Sequence, residues 1–121
     1  MPGKEMKPVF WVGDSKKWLL TFPATVRREL GFVLERAQAG LTHHKAKPLR
    51  GFSGVYEIVS DYDRNSYRAI YAVNLGEMIY VLHCFQKKSK FRIKTPKKEI
   101  DLIRSRLNWA KELAHKENKN E

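Results

Sequence analysis

The sequence predicts an α+β fold: a small, antiparallel-rich twisted sheet in the order β-α-α-β-β-β-α, with helices packed on one face. Three observations carry this. A β-prone run near the start is followed by two helical segments, three further β-type runs are separated by turn residues, and an amphipathic stretch closes the chain. With 121 residues, one domain spanning 1–121 is the natural unit, its ends at 1–7 and 115–121 expected to be flexible.

Residues 9–12, VFWV, follow Pro8 and precede Gly13, Asp14 and Ser15, as a strand running into a turn. Asp14 or Ser15 suits the cap of a short helix reaching Leu20, and Pro23 suits the first turn of a second. In that second helix Val26, Leu30, Val33, Leu34 and Ala37 recur at helical spacing, and Gly40 stops it. Residues 41–54, with Gly, Pro and several cations, form a basic loop. Strands follow at 55–60, 67–73 and 78–85. Thr95 and Pro96 then offer a cap and first-turn proline for a helix whose Ile100, Ile103, Leu107, Ala110 and Ala114 share one face.

Alternation along the strands places Arg68 with Ile70 and Ala72, opposite Tyr67, Ala69 and Tyr71, which suit the core. A turn at Leu75 and Gly76 sets His83 across from Arg68, and a turn at Arg64 and Asn65 sets Asp61 across from it. On that register Glu57, Arg68, His83 and Lys87 share a face. Arg68 can clamp a phosphate, because guanidinium binds two phosphate oxygens at once. Glu57 or His83 can serve as a base, and Lys87 or Lys88 as acid or charge stabiliser. A cross-strand ion pair on a solvated face accounts for Arg68 equally well, and a hydrogen-bonded structural role for His83.

Charge points to the partner. Lys and Arg number 24 against 13 Asp and Glu, a formal +11, which favours a polyanion. Between 87 and 98 stand Lys87, Lys88, Lys90, Arg92, Lys94, Lys97 and Lys98 with no acidic residue. Lys97 and Lys98 fall in the first turn of the last helix, where the macrodipole disfavours cations and a bound phosphate would reverse the sign. Lys45, Lys47 and Arg50 widen the candidate RNA-binding set. No Cys/His pattern suggests a metal, no Gly-rich phosphate loop is present, and no cofactor is expected. The start is polar, no apolar run reaches spanning length, and the lone Cys84 lies in an apolar strand, so a cytoplasmic protein without a membrane partner is expected.

The segments KPLRG (47–51), GVYEI (54–58), YRAIY (67–71), VLHCFQKKSK (81–90) and TPKKEI (95–100), in this order and spacing, resemble the phage-derived branch of the HigB toxins in the RelE/ParE superfamily. The resemblance runs from the first strand to Arg106. It implies the toxin of a type II toxin–antitoxin system, a ribosome-dependent, metal-independent mRNA endonuclease that inhibits translation. It also implies a helix-turn-helix antitoxin as partner. Arg68 matches the central-strand arginine assigned to phosphate contact, Lys87 and Lys88 the basic pair ending the last strand, and Glu57 an acidic position of the preceding strand. RelE has lysines where Glu57 and Val59 stand, so its proton-transfer scheme does not carry over. Two alternatives remain: a ParE-like gyrase-inhibiting toxin, and a non-catalytic nucleic-acid-binding protein of the same fold.

Overall fold

The computed structural model describes residues 6–87 and 95–119, with side chains placed as far as 117. Eight elements follow one another: β1 (Val9–Trp11), α1 (Ser15–Leu19), α2 (Ala24–Gln38), β2 (Ala46–Pro48), β3 (Val55–Tyr62), β4 (Asn65–Leu75), β5 (Met78–Lys87) and α3 (Lys97–Lys119). The strands form one mixed sheet ordered β1-β5-β4-β3-β2, with β1 parallel to β5 and the remaining pairs antiparallel. The α+β class and the order of the elements are those expected, with β2 added inside the segment read as a basic loop. Three residues of it pair with β3, too few to leave a periodic signal.

Helix α2 buries Val26, Leu30, Val33, Leu34 and Ala37, the whole predicted stripe, against the sheet face carrying Ile58, Tyr67, Ala69, Tyr71, Val81 and Cys84. Each fully buried aliphatic side chain there contributes about 1.5–3 kcal/mol of transfer free energy. Pro23 is the N-cap of α2 and not its first helical residue. The helix ends as Gly40 foretold. With Gly40 at φ 78, its N–H donates to the Ala37 carbonyl at 3.0 Å and that of Leu41 to Arg36 at 2.8 Å, the paired bonds of a Schellman cap.

Helix α3 does not join α1 and α2 on their face. Its Ile103, Leu107, Ala110 and Ala114 pack on the opposite one, against Val55, Ile70, Ala72, Tyr80, Leu82 and Phe85. The placement on a single face is corrected for a physical reason: from Ile79 to Phe85, β5 is apolar at both parities apart from His83, and both its faces require cover. The helix also continues through His115 to Lys119, into the segment expected to fray.

Both hairpin registers differ from those expected by two residues. The β3–β4 turn is Asp63 and Arg64, at φ 49 and 66, so Val59 and not Asp61 faces Arg68. The β4–β5 turn is Gly76 and Glu77, Asn74 takes φ 64, and Leu82 is an extra residue on β5, so Phe85 faces Arg68 and His83 faces Ile70. Beyond the bulge the slip is even, so Arg68, His83, Phe85 and Lys87 keep their predicted face; before it the slip is one residue, and Ile79 and Val81 turn to the α2 core instead.

Gly40→Ala is predicted to destabilise the fold by about 1 kcal/mol, since a Cβ is strained at that φ. Gly31→Ala, mid-helix with open space around its Cβ position, is predicted to stabilise it by roughly 0.5–1 kcal/mol. Urea unfolding of the two variants checks both signs.

Candidate functional site

Three rows of side chains cross the sheet on the face that α3 covers in part. Val59, Arg68 and Phe85 form one row. Glu57, Ile70 and His83 form the next, extended by Lys47, which pairs with Glu57 from β2; Asp61, Ser66 and Lys87 form the third. Glu57, Arg68, His83 and Lys87 therefore share a face, as alternation predicted. The bulge at Leu82 restores the parity that lets Cys84 point to the α2 core while His83, Phe85 and Lys87 point to α3's side.

Arg68 lies at the centre. Its Nη1 donates to Glu57 Oε2 at 2.8 Å, and both side chains are mostly buried. Thr95, expected as the helix cap, instead turns its hydroxyl to the same Glu57 oxygen at 3.4 Å, while the Pro96 carbonyl accepts the N–H groups of Glu99 and Ile100. Only one edge of the guanidinium is occupied: Arg68 Nε is buried with no hydrogen-bond partner among the described residues. The same holds for Ser66 Oγ and for Lys87 Nζ, in the adjoining row. Burial and the nearby Arg68 cation push the Lys87 ammonium below its ordinary value, against the opposing pull of Glu57. A buried donor without an acceptor costs about 1–3 kcal/mol, more when charged, so three of them in adjoining rows make a candidate anion-binding cluster.

His83 is also buried, with Nε2 at 2.8 Å from Glu99 Oε1 on the first turn of α3 and its ring stacked on Phe85 at 5.0 Å. The shared face is thus confirmed for His83, while its hydrogen bond points away from Arg68 and into the helix start. Lys97 and Lys98 are exposed at that helix start, and Lys47 and Arg50 are exposed beyond β3. Lys45 is not on this face. Its Nζ pairs at 2.7 Å with Glu29 of α2, which also takes the Ser60 hydroxyl, so Lys45 serves the opposite side of the sheet. Lys88, Lys90, Arg92 and Lys94 lie outside the described residues. Among the described residues no three His, Cys, Asp or Glu side chains come together as a metal group.

Sequence reasoning missed Ser66, Thr95 and Glu99. Ser66 reads as a turn residue, Thr95 as a cap and Glu99 as first-turn charge, each an adequate local role. Only the register of β4 against β5 and the docking of α3 reveal their second one.

A model of the family described as phage derived protein Gp49-like matches residues 17–108, a span that holds every residue of this cluster. The chain belongs to that family. The phage-derived origin implied by the sequence segments is met at this level. Among solved structures, this Gp49-like chain is similar to one in the crystal structure of the toxin–antitoxin complex RelBE2 from Mycobacterium tuberculosis. Identity is 20% and the TM-score 0.41, over 69% of this chain and 94% of that one. No curated protein matches.

Lys87→Met is predicted to raise stability by about 1 kcal/mol, because it replaces a buried, unpaired ammonium by an apolar chain of similar reach. The sign with pH follows from the lowered value. Between the folded-state pKa and the ordinary 10.5 the unfolded chain binds more protons, so wild-type stability rises with pH there. Chemical denaturation at several pH values below 10.5 is expected to show that slope in the wild type and its absence in the Met variant.

Proposed function

We propose that this protein is the toxin of a type II toxin–antitoxin system and a metal-independent endoribonuclease that cuts mRNA on the ribosome, held silent by a helix-turn-helix antitoxin. One observation carries the reading. Arg68 Nε and Ser66 Oγ on β4 and Lys87 Nζ on β5, in adjoining rows of one sheet face, are buried with no acceptor among the described residues, beside a carboxylate already held by Arg68. A phosphodiester supplies the missing acceptors and brings its own 2′-hydroxyl to that carboxylate.

In this scheme Arg68 uses its two edges differently. Nη1 holds Glu57, and the Nε edge takes a non-bridging phosphate oxygen. Glu57 removes the 2′-OH proton as the 2′ oxygen attacks phosphorus, and the bond to the 5′ oxygen breaks to leave a 2′,3′-cyclic phosphate. Lys87 donates the proton that the departing 5′ oxygen needs. Its depressed pKa makes the ammonium a better acid than an exposed lysine, and while protonated it offsets the charge that builds on the phosphorane. His83 acts through position: anchored to Glu99 and stacked on Phe85, it fixes the start of α3 over the site. Exposed Lys47, Arg50, Lys97 and Lys98 surround the cluster and suit ribosomal and messenger phosphates.

Induction in cells, followed by primer extension on ribosome-bound transcripts, tests the reading. Growth arrest with new 5′ ends inside coding regions is expected. Arg68→Ala and Lys87→Met are each expected to lower cleavage by about 10²–10³-fold. The Lys87 variant is informative because it is expected to fold better than wild type, so loss of activity is not loss of structure. Intact transcripts with altered DNA supercoiling would replace this reading by gyrase inhibition, and undisturbed growth would leave a binding protein.

A further inference from the structure

A groove of about 410 Å³ runs along the edge of β5 between α1 and the start of α3, lined among others by Trp18, Phe22, Phe85, Gln86, Lys98 and Glu99. Its volume falls in the range of roughly 300–1,000 Å³ typical of small-molecule sites. The groove lies open because β1 pairs with β5 only as far as Val81, and no described strand continues along residues 82–87 on that side.

We infer that this groove seats one unstacked nucleobase of the RNA, next to the phosphate held by Arg68 and Lys87, with Trp18 as the stacking platform. The inference rests on the endoribonuclease reading and adds a base subsite to it. Trp18 is 49% exposed, yet its ring is not loose. The indole N–H donates to Asp14 Oδ2 at 3.0 Å, Asp14 is gripped by Arg106 at 2.7 Å, and Arg106 donates to the Leu82 carbonyl at 2.9 Å. An exposed aromatic face is thus fixed to the bulge of β5 through a chain of charge-assisted bonds. That ordering has no role in the core, and it removes much of the entropy a base would otherwise lose on stacking there.

The cluster and the groove meet at the end of β5. Phe85 lies in the sheet row of Arg68 and also lines the groove, while Gln86 and Lys87 follow it on opposite sides of the strand. A nucleotide straddling this edge places its phosphate on Lys87's side and its base on the side of Gln86, whose exposed amide has both donors and an acceptor for a base edge. Lys98, exposed at the groove's other wall, suits the next phosphate.

The probe is adenosine 3′,5′-bisphosphate, with inorganic phosphate as control, titrated into the ¹⁵N-labelled full chain while side-chain N–H signals are followed. The Trp18 indole signal, assigned by its loss in Trp18→Phe, is expected to move with the bisphosphate and not with phosphate. Trp18→Ala is expected to weaken bisphosphate binding roughly ten-fold, leaving phosphate binding unchanged, whereas Trp18→Phe retains most of it. In cleavage assays Trp18→Ala is expected to raise KM and flatten the preference among cut sites more than it lowers kcat. If Arg68 responds to the bisphosphate and Trp18 does not, the base subsite is wrong and the phosphate site stands. If neither responds, both readings fall. If the Trp18 signal moves only when antitoxin is added, the groove belongs to a protein partner and the inference is overturned.

Discussion

Strand β5 is covered on both faces, and the remaining elements are arranged by what that requires. From Ile79 to Phe85 every residue is at most 6% exposed. No single helical layer can desolvate such a strand, so α2 closes one face with its aliphatic stripe and α3 the other. β1 pairs in parallel along one edge and β4 along the other. At the end of the strand Gln86 is exposed while Lys87 stays buried, and the polar cluster occupies that end.

Tyr80 Oη and His83 Nδ1 on β5 are also buried without a partner among the described residues, but only Arg68, Ser66 and Lys87 sit in adjoining rows at one end of the sheet. Lys87 and Arg68 carry like charges on neighbouring rows, and Glu57 balances them only in part. A fold selected for stability alone has little reason to leave Arg68 Nε, Ser66 Oγ and Lys87 Nζ buried without acceptors on one wall. Under the proposed reaction such donors need no reorganisation as charge develops on the phosphorane.

Much of this was legible in the amino-acid order, for identifiable reasons. The stripe from Val26 to Ala37 sits at the helical period over fifteen residues, so packing had no rival pattern to overcome. The shared face of Glu57, Arg68, His83 and Lys87 survived two wrong turn positions, because strand alternation depends only on whether a slip is even or odd. The side of the sheet taken by α3 was not legible from its own pattern, since amphipathicity says that a face is buried and not against which layer. The signal lay instead in β5, whose near-continuous apolar run announces cover on both faces. Lys45 was misplaced by charge alone. Its partner Glu29 stands 16 positions away on a helix, and nothing local marks that pairing.

The choice between Glu57 and His83 as base shows where sequence reasoning stops and geometry begins. Both residues reach the same face, and histidine has the more suitable ordinary pKa for proton transfer near neutrality. Their partners differ. His83 directs Nε2 to Glu99 and packs its ring on Phe85, committing it to the start of α3. Glu57 is held by Nη1 of the arginine whose other edge is unoccupied. In the proposed reaction a phosphate on that edge would share the guanidinium with Glu57. His83 makes its hydrogen bond to Glu99 and not to Arg68, and on that ground the proposal gives proton removal to the carboxylate.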